Sequence, residues 1–146
     1  MAVELFRISC LNPKYLTEKY EGLRKYYNNS PISKRARGYH YIYLKDDCHL
    51  FDTKNHRDGY HFIDLHALGH RAYVNVAVFV YFMEHGMKKS CLPTVLETQI
   101  SHLCHHPTCV NPRHLTLESL KTNNERKKCH RLRYCSGHSE QPPCHF

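Results

Sequence analysis

Long apolar runs are missing from this sequence of 146 residues. The longest, Val74–Met83, is much shorter than the roughly 20 residues that a membrane-spanning helix requires. The first segment, Met1–Cys10, lacks the apolar stretch and the small-residue cleavage site of a secretory signal peptide. We therefore expect a soluble protein with no membrane partner, located inside the cell and, in a eukaryote, in the nucleus.

Acidic residues are scarce relative to basic ones. The chain has 13 Asp and Glu against 21 Lys and Arg, a formal net charge of +8. This surplus favours a polyanionic partner such as nucleic acid, although small basic domains are soluble without one. The first of two basic clusters suits phosphate contacts or a nuclear-localisation signal. The two clusters are Lys34, Arg35 and Arg37, and Arg126, Lys127, Lys128, Arg131 and Arg133.

Hydrophobic residues make up 41% of the sequence, which allows only a modest core in one domain. Small domains often need additional cross-links, and the chain has 8 cysteines and 14 histidines. An even number of cysteines also permits disulfides. Cysteines interleaved with histidines at short spacing, without an export signal, favour zinc instead.

The spacing of apolar residues predicts a helix followed by a small antiparallel sheet. Asn12 and Pro13 are typical of a helix start, and the apolar residues that follow recur at helical spacing. We predict this helix over Pro13–Tyr27. From Gly38 the apolar period changes to two, which predicts strands within Gly38–Leu65. The predicted strands are Tyr39–Leu44, Cys48–Phe51 and Tyr60–Leu65, with a polar loop at Lys54–Asp58.

The second half of the chain predicts a buried helix and then a strand–strand–helix unit. Val74–His85 is apolar almost all round, and a buried strand is the alternative to a helix there. We favour the helix because the run is long for a strand and Gly86 suits a C-terminal cap. The later predicted elements are strands at Val95–Ile100 and His114–Leu117 and a helix at Glu118–Lys127.

Two groups of cysteine and histidine have the spacing of zinc ligands. Cys104, Cys109 and His114 supply three ligands of a tetrahedral structural site, which needs four. Cys48 is the preferred fourth ligand because it would tie the motif to the sheet. Cys91 and Cys10 are weaker candidates. The second group is complete within one segment: Cys129, Cys135, His138 and Cys144, with His130 or His145 as alternatives to His138.

Two polar residues near the first group suit the hydrolysis of a phosphodiester. A neutral imidazole is a good general base near pH 7, and His102 immediately precedes the cysteine motif. An amide oxygen can bind Mg²⁺, and Asn123 lies within the last predicted helix. Other interpretations remain open: His102 as a zinc ligand in place of His114 or as a core histidine, and Asn124 in place of Asn123.

This motif resembles that of the His-Cys box homing endonucleases, a branch of the ββα-metal (His-Me finger, HNH-related) nucleases. The matching parts are Ser-His-Leu-Cys-His from Ser101, the Asn-Pro after Cys109, Arg-His-Leu from Arg113, and Glu-Ser-Leu from Glu118. The resemblance covers the last third of the chain closely and the N-terminal third weakly. It implies an α+β fold: a small antiparallel sheet, a ββα-metal motif, two structural zinc sites and an irregular C-terminal tail.

The resemblance also implies a role for each matching residue. His102 matches the general base and Asn123 the one protein ligand of a catalytic Mg²⁺. The first zinc site matches Cys104, Cys109 and His114 with an upstream cysteine, here Cys48. The second matches Cys129, Cys135, His138 and Cys144, at a spacing that differs from the best-known member. Arg71 matches an arginine that stabilises the cleaved phosphate.

The expected substrate is double-stranded DNA, because members of this family place an antiparallel sheet in the major groove. The corresponding sheet is Gly38–Leu65, and Lys34, Arg35 and Arg37 would bind phosphates. A homodimer is also expected, although the chain stops two residues after Cys144, which argues against an exchange of long C-terminal tails. The candidate DNA contacts on the sheet are Lys45, Lys54, Asn55, Arg57 and His61.

The sequence therefore predicts one zinc-stapled nuclease domain over residues 1–146. Its parts are an N-terminal helical segment (1–37), a DNA-binding sheet (38–66), the ββα-metal core (67–128) and a second zinc tail (129–146). The predicted activity is Mg²⁺-dependent cleavage of DNA to 5′-phosphate and 3′-hydroxyl ends. The alternative is a zinc-stapled DNA-binding module without cleavage activity, which would need neither His102 nor Asn123.

Overall fold

The computed structural model describes residues 11–28, 47–49, 56–57, 59–67, 70–85, 98–139 and 141–146. Within them the chain is α+β, which confirms the predicted fold class. The predicted strand Tyr39–Leu44 lies outside the described residues. The helices are α1 (Pro13–Asn28), α2 (Val76–His85) and α3 (Leu120–Leu132), and the strands are β1 (His56–Arg57), β2 (Tyr60–Ala67), β3 (His70–Asn75), β4 (Thr98–His102) and β5 (Leu115–Ser119).

The first helix follows the predicted boundaries closely. Asn12 begins it, since its side-chain oxygen accepts a hydrogen bond from the backbone N–H of Lys14 at 2.9 Å. Leu16 and Tyr20 are buried on one face, and the Tyr20 ring meets Phe79 of α2 edge-on at 6.1 Å between centroids. This apolar face packs α1 against α2.

The strands β1, β2 and β3 form an antiparallel sheet in that order, with β2 and β3 paired from Phe62 opposite Asn75 to Ala67 opposite His70. Leu65, Ala72 and Val74 are buried on its inner face. The predicted strand Tyr60–Leu65 is confirmed and extends to Ala67. The predicted loop at Lys54–Asp58 is wrong at His56–Arg57, which pair with β2.

The long apolar run is divided between a strand and a helix. Val74 and Asn75 complete β3, and α2 begins at Val76, two residues later than predicted. The reason is local, because the side-chain oxygen of Asn75 accepts a hydrogen bond from the backbone N–H of Ala77 at 2.8 Å. Val76–Val80 are all buried. None of the helices in the described ranges combines the length and the apolar character needed to span a bilayer.

The strands β4 and β5 form a separate antiparallel hairpin that leads into α3. Thr98 pairs with Ser119 at one end, and His102 pairs with Leu115 at the other. The helix begins two residues later than predicted because Ser119 caps it, accepting a hydrogen bond from Thr122 N–H at 3.1 Å. His114 lies in a short 3₁₀ turn, Pro112–His114, rather than in the predicted strand. This strand–strand–helix unit carries most of the candidate site.

Candidate functional site

A buried group of four side chains lies where the β4–β5 connection meets the segment around Cys48. Its ligand atoms all lie within 4.8 Å of one another. Nδ1 of His114 is 3.5 Å from Sγ of both Cys48 and Cys109. Zinc–sulfur bonds of about 2.3 Å and zinc–nitrogen bonds of about 2.0 Å give tetrahedral N···S edges near 3.5 Å. The first tetrad therefore fits zinc, and its members are Cys48, Cys104, Cys109 and His114.

Cys48 reaches this group because the backbone on both sides of it is held. Asn111, which is only 1% exposed, donates from Nδ2 to the carbonyl oxygen of Asp47 at 2.5 Å. The backbone N–H of Val110 donates to the carbonyl oxygen of His49 at 2.7 Å. The weaker candidates Cys10 and Cys91 lie outside the described residues. These two hydrogen bonds thus present Cys48, which lies outside the strands, as the fourth member of the tetrad.

The thiol chemistry of the first tetrad also favours a cation. Hydrogen bonds from Cys109 and Cys48 hold the pKa of Cys104 far below its ordinary value. The adjacent Cys104 in turn raises the pKa of Cys48 to about 12 and also raises the pKa of Cys109. Without a cation, three neighbouring sulfurs cannot all carry a charge. A divalent cation removes this conflict by binding all three as thiolates.

Replacing Asn111 with alanine is expected to loosen the first tetrad without touching a ligand. The carbonyl of Asp47 would lose its buried donor, at a cost of about 1–3 kcal/mol. We expect faster release of one of two zinc ions to a chromogenic chelator. Asn124→Ala, on the exposed side of α3, is the matched control. Equal release rates for both variants and the wild type would contradict the role given to Asn111.

A second tetrad is formed by the end of α3 and the tail that follows it. Nε2 of His138 lies 3.7, 3.3 and 3.4 Å from the sulfurs of Cys129, Cys135 and Cys144, distances that again fit tetrahedral zinc. The other ring nitrogen of His138 faces the carboxylate of Glu125 at 3.7 Å. Carboxylates commonly orient zinc-binding histidines, although this pair lies beyond hydrogen-bond distance. The alternatives His130 and His145 are not members of this group.

A buried ion pair connects the second tetrad to the hairpin. Nε of Arg126 lies 2.8 Å from both carboxylate oxygens of Glu118 on β5, and the two side chains are 2% and 0% exposed. Arg126 also donates to the carbonyl of Pro142 at 2.9 Å and to Sγ of Cys144 at 3.6 Å. Arg126 therefore joins α3, β5 and the tail. Because Arg126 is buried, it does not contribute to a basic surface.

His102 is the last residue of β4 and lies beside the first tetrad without belonging to it. Its Nε2 lies 3.0 Å from the carbonyl oxygen of Cys109. Because a carbonyl only accepts, Nε2 must carry the proton and Nδ1 of the neutral ring is the basic nitrogen. Burial lowers the pKa of His102, which favours the neutral ring. Because β4 ends at His102, His102 and Cys104 do not share a strand.

Asn123 and Asn124 have different surroundings on α3. Asn123 is half-buried, and its Nδ2 donates to Oε1 of Gln99 on β4 at 2.6 Å. Its side-chain oxygen has no hydrogen-bond donor among the residues that the structure describes. Asn124 is exposed, and its side-chain oxygen accepts from Lys127 at 3.0 Å. Of the two amides, only that of Asn123 faces the hairpin that carries His102.

A family described as the zinc-binding loop region of homing endonuclease matches residues 28–145. The chain belongs to this homing-endonuclease family. No curated protein and no solved structure matches the chain. The matched region includes both tetrads, His102 and Asn123, and the family suggests a nuclease with a DNA substrate.

Arg71 and His61, the other predicted site residues whose side chains the structure describes, lie on the first sheet. Arg71 is exposed on β3 and donates from Nε to the carboxylate of Asp64 at 2.9 Å. This contact lowers the pKa of Asp64. His66 lies 3.3 Å from the same carboxylate. Arg71 therefore lies on the outer face of the sheet, and its contact with a phosphate stays a prediction.

The predicted DNA contact at His61 needs correction. Its side chain is only 4% exposed because it lies on the inner face of β2, in phase with buried Leu65. A side chain in this position cannot reach a base edge or a phosphate. Only the backbone of Arg57 is described. The other predicted contacts lie outside the described residues: Lys34, Arg35, Arg37, Lys45, Lys54 and Asn55.

Three residues of the candidate site were not predicted from the sequence. Gln99, Asn111 and Glu125 each support a site residue rather than binding a metal themselves. Asn111 had a signal, since an Asn-Pro after a cysteine commonly begins a short helical turn. Gln99 and Glu125 gave no sequence signal, because polar residues in a short strand and on a helix surface are usually solvated.

Proposed function

We propose that the chain is a Mg²⁺-dependent DNA endonuclease of homing type, which hydrolyses a phosphodiester to 5′-phosphate and 3′-hydroxyl ends. The observation that supports this most is the hydrogen bond between Nε2 of His102 and the Cys109 carbonyl. A pure binding module gains nothing from a histidine whose tautomer and orientation are set in this way. Family membership supports the same conclusion.

In the proposed reaction, His102 is the general base. Its Nδ1 takes a proton from a water molecule, and the water oxygen attacks phosphorus as the bond to the 3′ oxygen breaks. The departing 3′ oxygen takes a proton from solvent water to give the 3′-hydroxyl. The Nε2 proton stays on the ring and donates to the Cys109 carbonyl, which also stabilises the imidazolium that forms. The lowered pKa of His102 keeps the ring unprotonated before the reaction.

Asn123 is the proposed magnesium-binding residue. Its side-chain oxygen accepts no hydrogen bond from the described residues and is the hard ligand that Mg²⁺ prefers. Mg²⁺ commonly binds through one or two protein ligands, with waters and phosphates completing the shell. When bound, the cation supplies positive charge to the phosphate and the departing oxygen. Arg71 would contact the phosphate as well. To do so, its guanidinium would leave the Asp64 carboxylate and bind the phosphate instead.

The two tetrads are proposed to bind structural zinc. Each has four protein ligands, which leaves no open position for a substrate or a water. Their contribution to catalysis is therefore indirect. The first tetrad holds Cys109 and thereby its carbonyl, which orients His102. The second lies at the end of the helix that carries Asn123.

Plasmid nicking tests the proposal directly. The wild-type protein, loaded with zinc, is mixed with supercoiled plasmid in the presence and absence of Mg²⁺. We expect open-circular or linear product only with Mg²⁺, and we expect DNA ligase to reseal the nicks because it requires 5′-phosphate and 3′-hydroxyl ends. DNA that is bound but stays supercoiled with every divalent cation would favour the alternative, a zinc-stapled binding module.

A further inference from the structure

The amide of Asn123 has a partner whose role follows from a basic property of amides. One side of an asparagine amide is a donor and the other an acceptor, so a half-turn of the side chain replaces oxygen with NH₂. Only the oxygen can bind a cation. A residue that binds a cation through an amide therefore needs something that fixes which side faces the cation.

Gln99, on β4, fixes which side of the Asn123 amide faces the cation. Its Oε1 accepts from Nδ2 of Asn123 at 2.6 Å, which engages the NH₂ side of the Asn123 amide and leaves the oxygen side for a cation. Gln99 and Glu118 are directly paired across the hairpin, so their side chains share one face. Asn123 and Arg126 are three residues apart on α3, so they also share a face. The two contacts, amide to amide and arginine to carboxylate, lie side by side between the hairpin and α3.

From this geometry, and given the proposed function, we propose that Gln99 is a positioning residue that sets the orientation of the Asn123 amide for cation binding. Gln99 does not bind the cation itself. The buried contact between Arg126 and Glu118 fixes the position of α3 against the hairpin. Gln99 then fixes the orientation of the Asn123 side chain. Loss of Gln99 leaves Asn123 in place but free to turn its NH₂ group toward the cation.

The main test is a comparison of the Mg²⁺ concentration that gives half-maximal plasmid nicking. For Gln99→Leu we expect an increase of about tenfold, which is typical for the loss of a group that orients a metal ligand. For Gln99→Glu we expect no increase, because the carboxylate still accepts from Nδ2. Thr98→Val, one residue earlier on β4, is the matched control for an effect on the strand alone.

Repeating the comparison in the Asn123→Asp variant separates the loss of amide orientation from general damage to the fold. In Asn123→Asp the two side-chain oxygens are equivalent, so there is no wrong orientation to prevent. Gln99→Leu should then raise the Mg²⁺ requirement clearly less than it does beside Asn123. An equal increase in both backgrounds, or no increase beside Asn123, would overturn the role of Gln99.

A binding measurement without turnover completes the test. The variant His102→Ala is mixed with a short DNA duplex and Mn²⁺, and bound Mn²⁺ is measured by its electron paramagnetic resonance signal. Adding Gln99→Leu should weaken Mn²⁺ binding by the same factor as it raises the Mg²⁺ requirement. If wild-type protein nicks no plasmid, the proposed function fails. If it nicks but Gln99→Leu changes neither measurement, only the proposal for Gln99 fails.

Discussion

Replacing His102 with alanine is expected to reduce Mg²⁺-dependent plasmid nicking by about 10²–10⁴-fold, the usual contribution of a general base. The substitution removes the basic nitrogen from the site but leaves the Cys109 carbonyl and all eight tetrad ligands in place. DNA binding and zinc content should therefore stay at the wild-type level. The measurement is the single-turnover nicking rate, taken beside zinc content and a gel-shift titration.

The matched control for this variant is His106→Ala. His106 lies in the loop that directly follows His102 and is half-buried, but it is neither a tetrad member nor bonded to Cys109 through its ring. A similar loss in both variants would indicate damage to the loop rather than the loss of a base. A nicking rate near the wild-type value for His102→Ala would exclude His102 as the general base.

The largest expected effect on stability comes from Arg126. Arg126→Met would leave the carboxylate of Glu118 buried without its partner, which costs about 3–5 kcal/mol in comparable cases. The free energy of unfolding measured with urea should fall by this amount, and zinc at the second tetrad should be released faster. The second effect follows because Arg126 donates to Sγ of Cys144 and to the carbonyl of Pro142.

Lys127→Met is the control for Arg126→Met, since it makes the same side chain at the next, exposed position of α3. A further variant, Glu118→Gln with Arg126→Met, removes the isolated charge and should regain part of the lost stability. A fall of less than about 1 kcal/mol for Arg126→Met, the size expected of an exposed ion pair, would show that the buried pair is not a principal support of the hairpin and helix.

Much of the fold could be predicted because its signals are local. The helical spacing after Asn12 predicted α1, and the strand–strand–helix order of the last third was correct. Two of the errors lie at helix boundaries set by single capping side chains. Asn75 and Ser119 each begin a helix two residues later than the apolar pattern alone indicates. The spacing of apolar residues carries no information on such capping hydrogen bonds, whereas the structure shows them directly.

The site could be predicted only where its residues are close together in the sequence. The second tetrad is local, and its four ligands form the group that was predicted. Cys48 was a choice among three cysteines, and the two hydrogen bonds that bring it to the first tetrad come from residues far along the chain. His61 shows the converse problem. Its residue type suits DNA, but its phase in β2 decides that it is buried.

The two tetrads also differ in the length of chain that each must close. In the second, His138 follows Cys129 by 9 residues and precedes Cys144 by 6. In the first, His114 lies 66 residues beyond Cys48. Closing a longer loop costs more chain entropy, so the second tetrad can assemble early and the first only as the chain nears its final shape. Occupancy of the first tetrad is thus coupled to folding of the segment between Cys48 and His114.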